Sequence, residues 1–315
     1  MKFDKFIATF IMMNIVLLMA VVFTSKSDIL MQSAAEIIYG KKVAPERFAS
    51  SPKEDYHPYT PTSEDIYSNT YLTRETISKS KALPPYERAV YLVKSFSLMG
   101  DGICQTGKTI TEKINNAAKK EGCAKDYAQI FMTLAGEADL TARLVSNGIH
   151  YGAEIFDGNS WIYIDPYFAM SISSEDSLLS FTQFAEKMLT GGWMRFNYFG
   201  GENHCMSGKD ISKHPYFSDV SQFSSVFVVD SGDVAKMLRL ERQFGNKTAV
   251  KKYLFPFRNG ADELYYTNLD DGPKSIIHKY TAGLLALLAT IFAGTEIVLP
   301  VYYLTSLLSR LSKKN

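Results

Sequence analysis

Three cysteines are present in this chain, and one of them, Cys123, directly follows Gly122 and opens the run CAKDYAQIFMTLAG. Ala128, Ile130, Phe131 and Leu134 recur in it at helical spacing, and Gly136 is a stop signal, so the run predicts a buried helix with Cys123 at its start. A helix N-terminus presents free N–H groups and positive potential. Both favour a thiolate and can hold an oxyanion, which suits a cysteine to attack a carbonyl. A cysteine by itself is more simply a small buried hydrophobe. A second run supplies the groups that a thiol nucleophile needs. In HYGAEIFDGNSWIYIDPYF two apolar-alternating stretches flank Asp157-Gly158, a strong hairpin signal.

If Asp157-Gly158 forms a two-residue turn, Phe156 faces Asn159, Glu154 faces Trp161, Gly152 faces Tyr163 and His150 faces Asp165. Directly opposed residues have Cβ atoms about 4.5–5.5 Å apart. Tyr151, Ala153, Ile155, Ile162 and Ile164 then share the opposite face, which reads as core. A carboxylate beside an imidazole fixes its tautomer and stabilises the imidazolium. Cys123, His150 and Asp165 are therefore the candidate catalytic residues, the parts of a thiol acyl-transfer triad. Their plainer readings are a core thiol, a surface histidine at a strand start and a turn residue before Pro166.

The elements around them follow from the same patterns. PYERAVYLVKSFS reads as an amphipathic helix, KTITEKINNAAKKEG as a polar helix ending near Gly122, and TARLVSNG as a short strand. SSEDSLLSFTQFAEKMLTGG reads as a helix opened by its Ser and acidic residues, and SGDVAKMLRLERQF as another. Helix, strand and hairpin in that order predict an α+β domain.

These runs resemble the transglutaminase-like cysteine enzymes of the papain-like fold. The resemblance rests on Gly122, Cys123, Asp126, Tyr127 and Ala128, then on Ala142, Arg143, Val145, His150, Glu154, Trp161, Asp165 and Pro166. Two positions depart from the family's habit: Glu121 stands where a glycine precedes the cysteine by two, and Gly152 stands where a tryptophan follows the histidine by two. The resemblance implies a helix carrying the cysteine packed on an antiparallel sheet carrying the histidine and aspartate. It also implies acyl transfer from an amide or ester, with hydrolysis of peptide, protein or other amide-bearing substrates favoured over transamidation. An idle binding module supporting a cell-envelope or polysaccharide assembly is the alternative. Calcium is not implied, since no acidic loop of the needed density occurs. No cofactor or metal is expected. His204, Cys205 and His214 lack a usual zinc spacing. A second oxyanion donor is not readable; Asn115 and Asn116 are weak candidates. Cys104 and Cys205 either pair in an oxidising compartment or stay free and buried. Asn246-Lys247-Thr248 fits a glycosylation signal that is common by chance.

Over its 315 residues the chain has 34 Lys+Arg against 33 Asp+Glu, a balance that argues against a nucleic-acid partner. Mean hydropathy is −0.08, which excludes a polytopic transporter, but both ends are apolar. Residues 6–25 carry no charge and approach the ~20 residues of a spanning helix. No A-x-A-like site follows, so an anchor is preferred over a cleaved signal peptide. Tyr280–Ser309 holds one charge, Glu296, near Pro300, and reads as a second span. Lys2 and Lys5 flank the first span, and Arg310, Lys313 and Lys314 follow the second. This pattern favours cytoplasmic termini despite Lys26, Lys274 and Lys279. The expected organisation is an N-terminal anchor over 1–25, an extended linker over 26–83, the transglutaminase-like domain over 84–275 and a transmembrane helix over 280–309. The expected location is the bacterial inner membrane, with the catalytic domain outside the cytoplasm and a membrane partner in the envelope.

Overall fold

Apolar alternation along residues 142–174 builds the middle of a sheet, because side chains of period two put one set on each face. β2 (Ala142–Ser146), β3 (Tyr151–Phe156), β4 (Trp161–Asp165) and β5 (Met170–Ser174) pair antiparallel in sequence order. Around this meander the computed structural model extends the sheet with β1 (Gly40–Lys42), β6 (Ser177–Leu178), β7 (Trp193–Tyr198), β8 (His204–Ser207), β9 (Ser225–Val229) and β10 (Leu264–Asn268). The order is β1-β10-β9-β2-β3-β4-β5-β7-β8, with β6 on β5, and among the described strands the β1–β10 pair alone is parallel. The described residues are 8–17, 19, 37, 40–52, 71–96, 99–105, 108–147, 150–207, 220–229, 264–269, 273–294 and 301–305. The chain divides into two compact units, Tyr39–Ser275 and the two ends, Met1–Ile38 with Ile276–Asn315.

Both faces of the sheet in the larger unit are buried. Leu144, Ala153, Ile155, Ile162 and Ile164 pack against α3 (Pro85–Phe96), α4 (Ile110–Ala117) and α5 (Ala124–Glu137). Val145, Tyr163, Met170 and Ile172 face the other way, into a core built with α6 (Phe181–Thr190) and Phe223. The unit is α+β. Thr109 and Glu112 start α4 with a reciprocal capping box, and Ser180 and Gln183 start α6 in the same way. α6 thus begins later than its sequence suggests, because residues 170–178 are drawn into β5 and β6. Within 26–83, β1 joins the sheet through β10, α1 (Pro45–Ala49) buries Phe48, and α2 (Tyr71–Lys81) buries Ile77 and Ser80.

The expectation of two flanking transmembrane helices is corrected. Among the described residues no helix is long and apolar enough to cross a membrane. α7 (Pro273–Ala293) has 21 residues, but Lys274 and Lys279 lie in its first two turns. The uncharged part, residues 280–293, spans roughly 21 Å at ~1.5 Å per residue, short of a ~30 Å hydrocarbon core. Near the N-terminus, helix is described over 8–17. Residues 301–305 are also helical; the rest of both apolar ends, residues 19 and 294 apart, lies outside the described residues, as do SGDVAKMLRLERQF, Asn246 and His214.

Candidate active site

Cys123 is the N-cap of α5, in extended conformation after Gly122, whose φ of +111° is one that glycine adopts without strain. Asp126, three residues on, turns back so that its Oδ2 accepts the Cys123 N–H at 3.1 Å and the Gln105 N–H at 2.9 Å. Its Oδ1 pairs with Lys113 Nζ at 2.7 Å, and the same ammonium donates to Gln129 Oε1 at 2.5 Å. Lys113 is only 1% exposed, so Asp126 holds the start of α5 with its own charge matched from α4. Cys123 is joined to Cys104 in a disulfide. The pairing of Cys104 with Cys205 weighed from sequence is therefore not the one formed. Cys205 lies on β8, free and exposed, next to exposed His204. The ligand atoms of Cys104, Cys123 and Asp126 lie within 4.8 Å of one another. With both sulfurs in a disulfide and Asp126 paired to Lys113, the cluster offers no thiolate to a cation.

His150 and Asp165 come together at the end of the sheet, fully buried, with Nε2 2.6 Å from Oδ2. The loop before β3 fixes the histidine backbone. Asn147 Oδ1 accepts the His150 N–H at 2.8 Å, and the His150 carbonyl accepts from the Ser146 hydroxyl at 2.7 Å. Asp165 is oriented from three further sides. Tyr163 OH donates to Oδ2 at 3.0 Å, and the Tyr167 and Phe168 amides both donate to Oδ1 at 3.0 Å. The imidazole stacks on Phe168, with centroids 5.6 Å apart, and meets the edge of Tyr167 at 6.5 Å.

The register that achieves this differs from the expected one. Asp157 Oδ1 accepts the N–H groups of Asn159 and Ser160 at 2.8 Å each, and Gly158 takes φ +105°. The result is a four-residue connection in which Phe156 faces Trp161 and Ala153 faces Ile164. The slip is two residues, so no side chain changes face. His150 and Asp165 become diagonal neighbours, still within reach of each other.

Tyr167 links the two halves of the site. Its ring lies 5.2 Å from Tyr127 on α5, and its hydroxyl donates to the Gly100 carbonyl at 2.7 Å. Gly100 in turn packs so closely on the Gly122 carbonyl that a Cβ there would collide with it. A groove of about 660 Å³ between α3 and the β7 end, lined by Tyr86, Tyr91, Asn197 and Tyr198, opens two strands from Asp165. Burial pushes the Tyr163 phenol well above its ordinary value of 10, and the charges of Asp165 and Glu154 add to this. Burial and the Asp165 charge raise Tyr198 as well. Burial, with Asp101 and Asp126, lifts Tyr127 to about 12.

The other motif residues form a separate cluster. Arg143 Nε bonds Glu154 Oε2 at 2.6 Å, and its guanidinium lies 3.8 Å over the Trp161 ring. Arg143 also donates to the Phe48 carbonyl at 2.5 Å, Trp161 Nε1 to the Ser50 carbonyl at 2.8 Å, and the Phe181 amide to Glu154 Oε1 at 2.6 Å. Compared with known proteins, the chain matches no family model, no curated protein and no solved structure.

Several site residues escaped the sequence reading. Lys113 lies in the stripe of Ile110 and Ala117 at spacings of three and four, a position that could have marked it as buried. Asn115 and Asn116 were weighed as oxyanion donors, but Asn116 Nδ2 donates to Gln105 Oε1 at 3.0 Å. It is the Gln105 amide nitrogen that approaches Gly122, 3.3 Å from where a Cβ would stand. Nothing in the spacing of Gln105 signals this.

Proposed function

We propose that this chain is a transglutaminase-like thiol enzyme acting on amide or ester bonds, with hydrolysis as the favoured outcome. The single observation that carries the reading is the buried His150–Asp165 pair, 2.6 Å apart, beside the helix that Cys123 caps. With Nε2 committed to Asp165, Nδ1 is the nitrogen that exchanges protons with the thiol. In the reduced protein the Cys123 sulfur bonds to the substrate carbonyl carbon as its proton passes to His150. The tetrahedral oxyanion then collapses, and His150 protonates the departing amine or alcohol. Water attacks the thioester, giving a proton to His150, and the carboxylic acid leaves as the thiol is restored. The Cys104–Cys123 disulfide supports an oxidising, extracytoplasmic setting.

That same disulfide favours a second reading, an idle binding module whose thiol is consumed as a brace. The deciding experiment treats the dithiol-reduced full chain with an activated ester and maps the acyl group by mass spectrometry. The acyl-enzyme reading expects label on Cys123, slowed about 10²-fold in His150→Ala. Equal label on all three cysteines, insensitive to that change, leaves the binding module.

A further inference from the structure

We propose that Cys104 is an exchange site for a dithiol reductant, which opens the Cys104–Cys123 disulfide and releases Cys123 as the working nucleophile. This rests on the acyl-transfer reading above. The two sulfurs are not equivalent. Cys104 is exposed, whereas Cys123 is buried at 6% exposure. Exchange requires a thiolate to approach one sulfur while the other departs, so access directs attack to Cys104. Departure is also easier from Cys123, because a thiolate at the first turn of a 14-residue helix faces its positive end.

The surrounding frame does not depend on the sulfur–sulfur bond. Gly102 N–H donates to the Gly122 carbonyl at 3.1 Å. Asp101 Oδ1 accepts the N–H groups of Ile103 and Gly122 at 3.0 Å each. Asp126 accepts from Gln105 on the far side of Cys104 and from Cys123 itself. The segment carrying Cys104 is thus tied to the start of α5 before and after the cysteine. Reduction leaves it in place, and the two sulfurs stay positioned to pair again.

The chemistry balances with one dithiol. Its first sulfur, as thiolate, bonds to Cys104 Sγ, and the electron pair of the broken S–S bond goes to Cys123 Sγ. Its second sulfur attacks the first, closing the reductant's own disulfide and expelling Cys104 as a thiolate. Two electrons and two protons pass from the dithiol to the two cysteines.

The test uses the air-oxidised full chain in native buffer, with dithiothreitol as probe, followed by maleimide tagging and peptide mapping. Cys205 should tag without reductant, and Cys104 and Cys123 only after it, with no denaturant. A brief pulse of glutathione should leave its adduct on Cys104. Cys104→Ser should make Cys123 taggable without reductant, at least about tenfold faster than in the oxidised wild type. Opening only in denaturant, a glutathione adduct on Cys123, or free thiols at all three cysteines in the oxidised wild type would each overturn the proposal. A disulfide that opens natively while Cys123 shows no His150-dependent acylation keeps the exchange site and removes the acyl-transfer reading. Acylation of Cys104→Ser together with a natively inert wild-type disulfide does the reverse.

Discussion

Arg143–Glu154 and His150–Asp165 are both buried polar pairs carried by neighbouring strands, each closed at 2.6 Å. Around the first pair every bond leads to scaffold. Glu154 takes the Phe181 amide at the start of α6, while Arg143 reaches the Phe48 carbonyl in α1 and covers Trp161. The planar guanidinium fork is spent on these acceptors, so this pair holds distant segments together. Around the second pair the carboxylate is equally well tied, but its partner is an imidazole, whose two ring nitrogens can each serve as donor or acceptor. Tyr167 connects that imidazole to the helix of Cys123. Burial and a short contact are common to both; on the proposed reading, what separates them is that the imidazole serves the Cys123 thiol while the guanidinium serves the scaffold.

The contrast can be broken most forcefully at Glu154. Glu154→Ala strands Arg143 in the core and should cost about 3–5 kcal/mol in urea unfolding of the oxidised protein. A loss below ~1 kcal/mol would mean the cluster is not the clamp described. Under conditions where the variant remains folded, reduction should still expose Cys123 to alkylation at the wild-type rate.

His150→Ala should show the opposite profile. Alkylation of Cys123 in the reduced protein at pH 6 is expected to slow about 10²-fold. Asp165→Asn should slow it less, because the imidazole keeps basicity while losing its charged orienting partner. Rates unchanged in both variants would place this pair with Arg143–Glu154 as scaffold.

Tyr163 stands between the two pairs, donating to Asp165 and sensing Glu154. Its phenol is held well above 10 and that of Tyr127 at about 12, whereas tyrosines of the unfolded chain ionise near 10. Above pH 10 the unfolded state therefore binds fewer protons than the folded one, and stability falls as pH rises. The melting temperature should hold from pH 8 to 9.5 and then decline, with a shallower decline in Tyr163→Phe. A flat profile to pH 11 would be incompatible with these shifts.

The smallest effect expected lies away from both pairs. Thr109→Ala removes the capping box of α4, the helix that carries Lys113, and should cost about 1 kcal/mol with Cys123 chemistry unchanged. A large drop in Cys123 alkylation would instead show that the Lys113–Asp126 pairing depends on that cap.

What the sequence determined by itself was local. Period-two alternation placed Ala153, Ile155, Ile162 and Ile164 on a core face, and Gly122 before a helical period placed Cys123 at a helix start. The common face of His150 and Asp165 was also legible, since an error of two residues in register preserves the alternation. Turn length was not, because Asp157 could cap its own loop as readily as close a two-residue turn. Nor were the partners that offset the burial of Lys113, Asp126 and Gln129 on another helix. The two spans expected of the apolar ends are overturned among the described residues, where the helix from Pro273 carries Lys274 and Lys279 and leaves too short an uncharged stretch. The disulfide was decided by tertiary structure alone. A cysteine's partner depends on which chain segments fold to within about 7 Å of it. Here it is the Cys104 segment that hydrogen bonds from Asp101 and Asp126 bring to the start of α5.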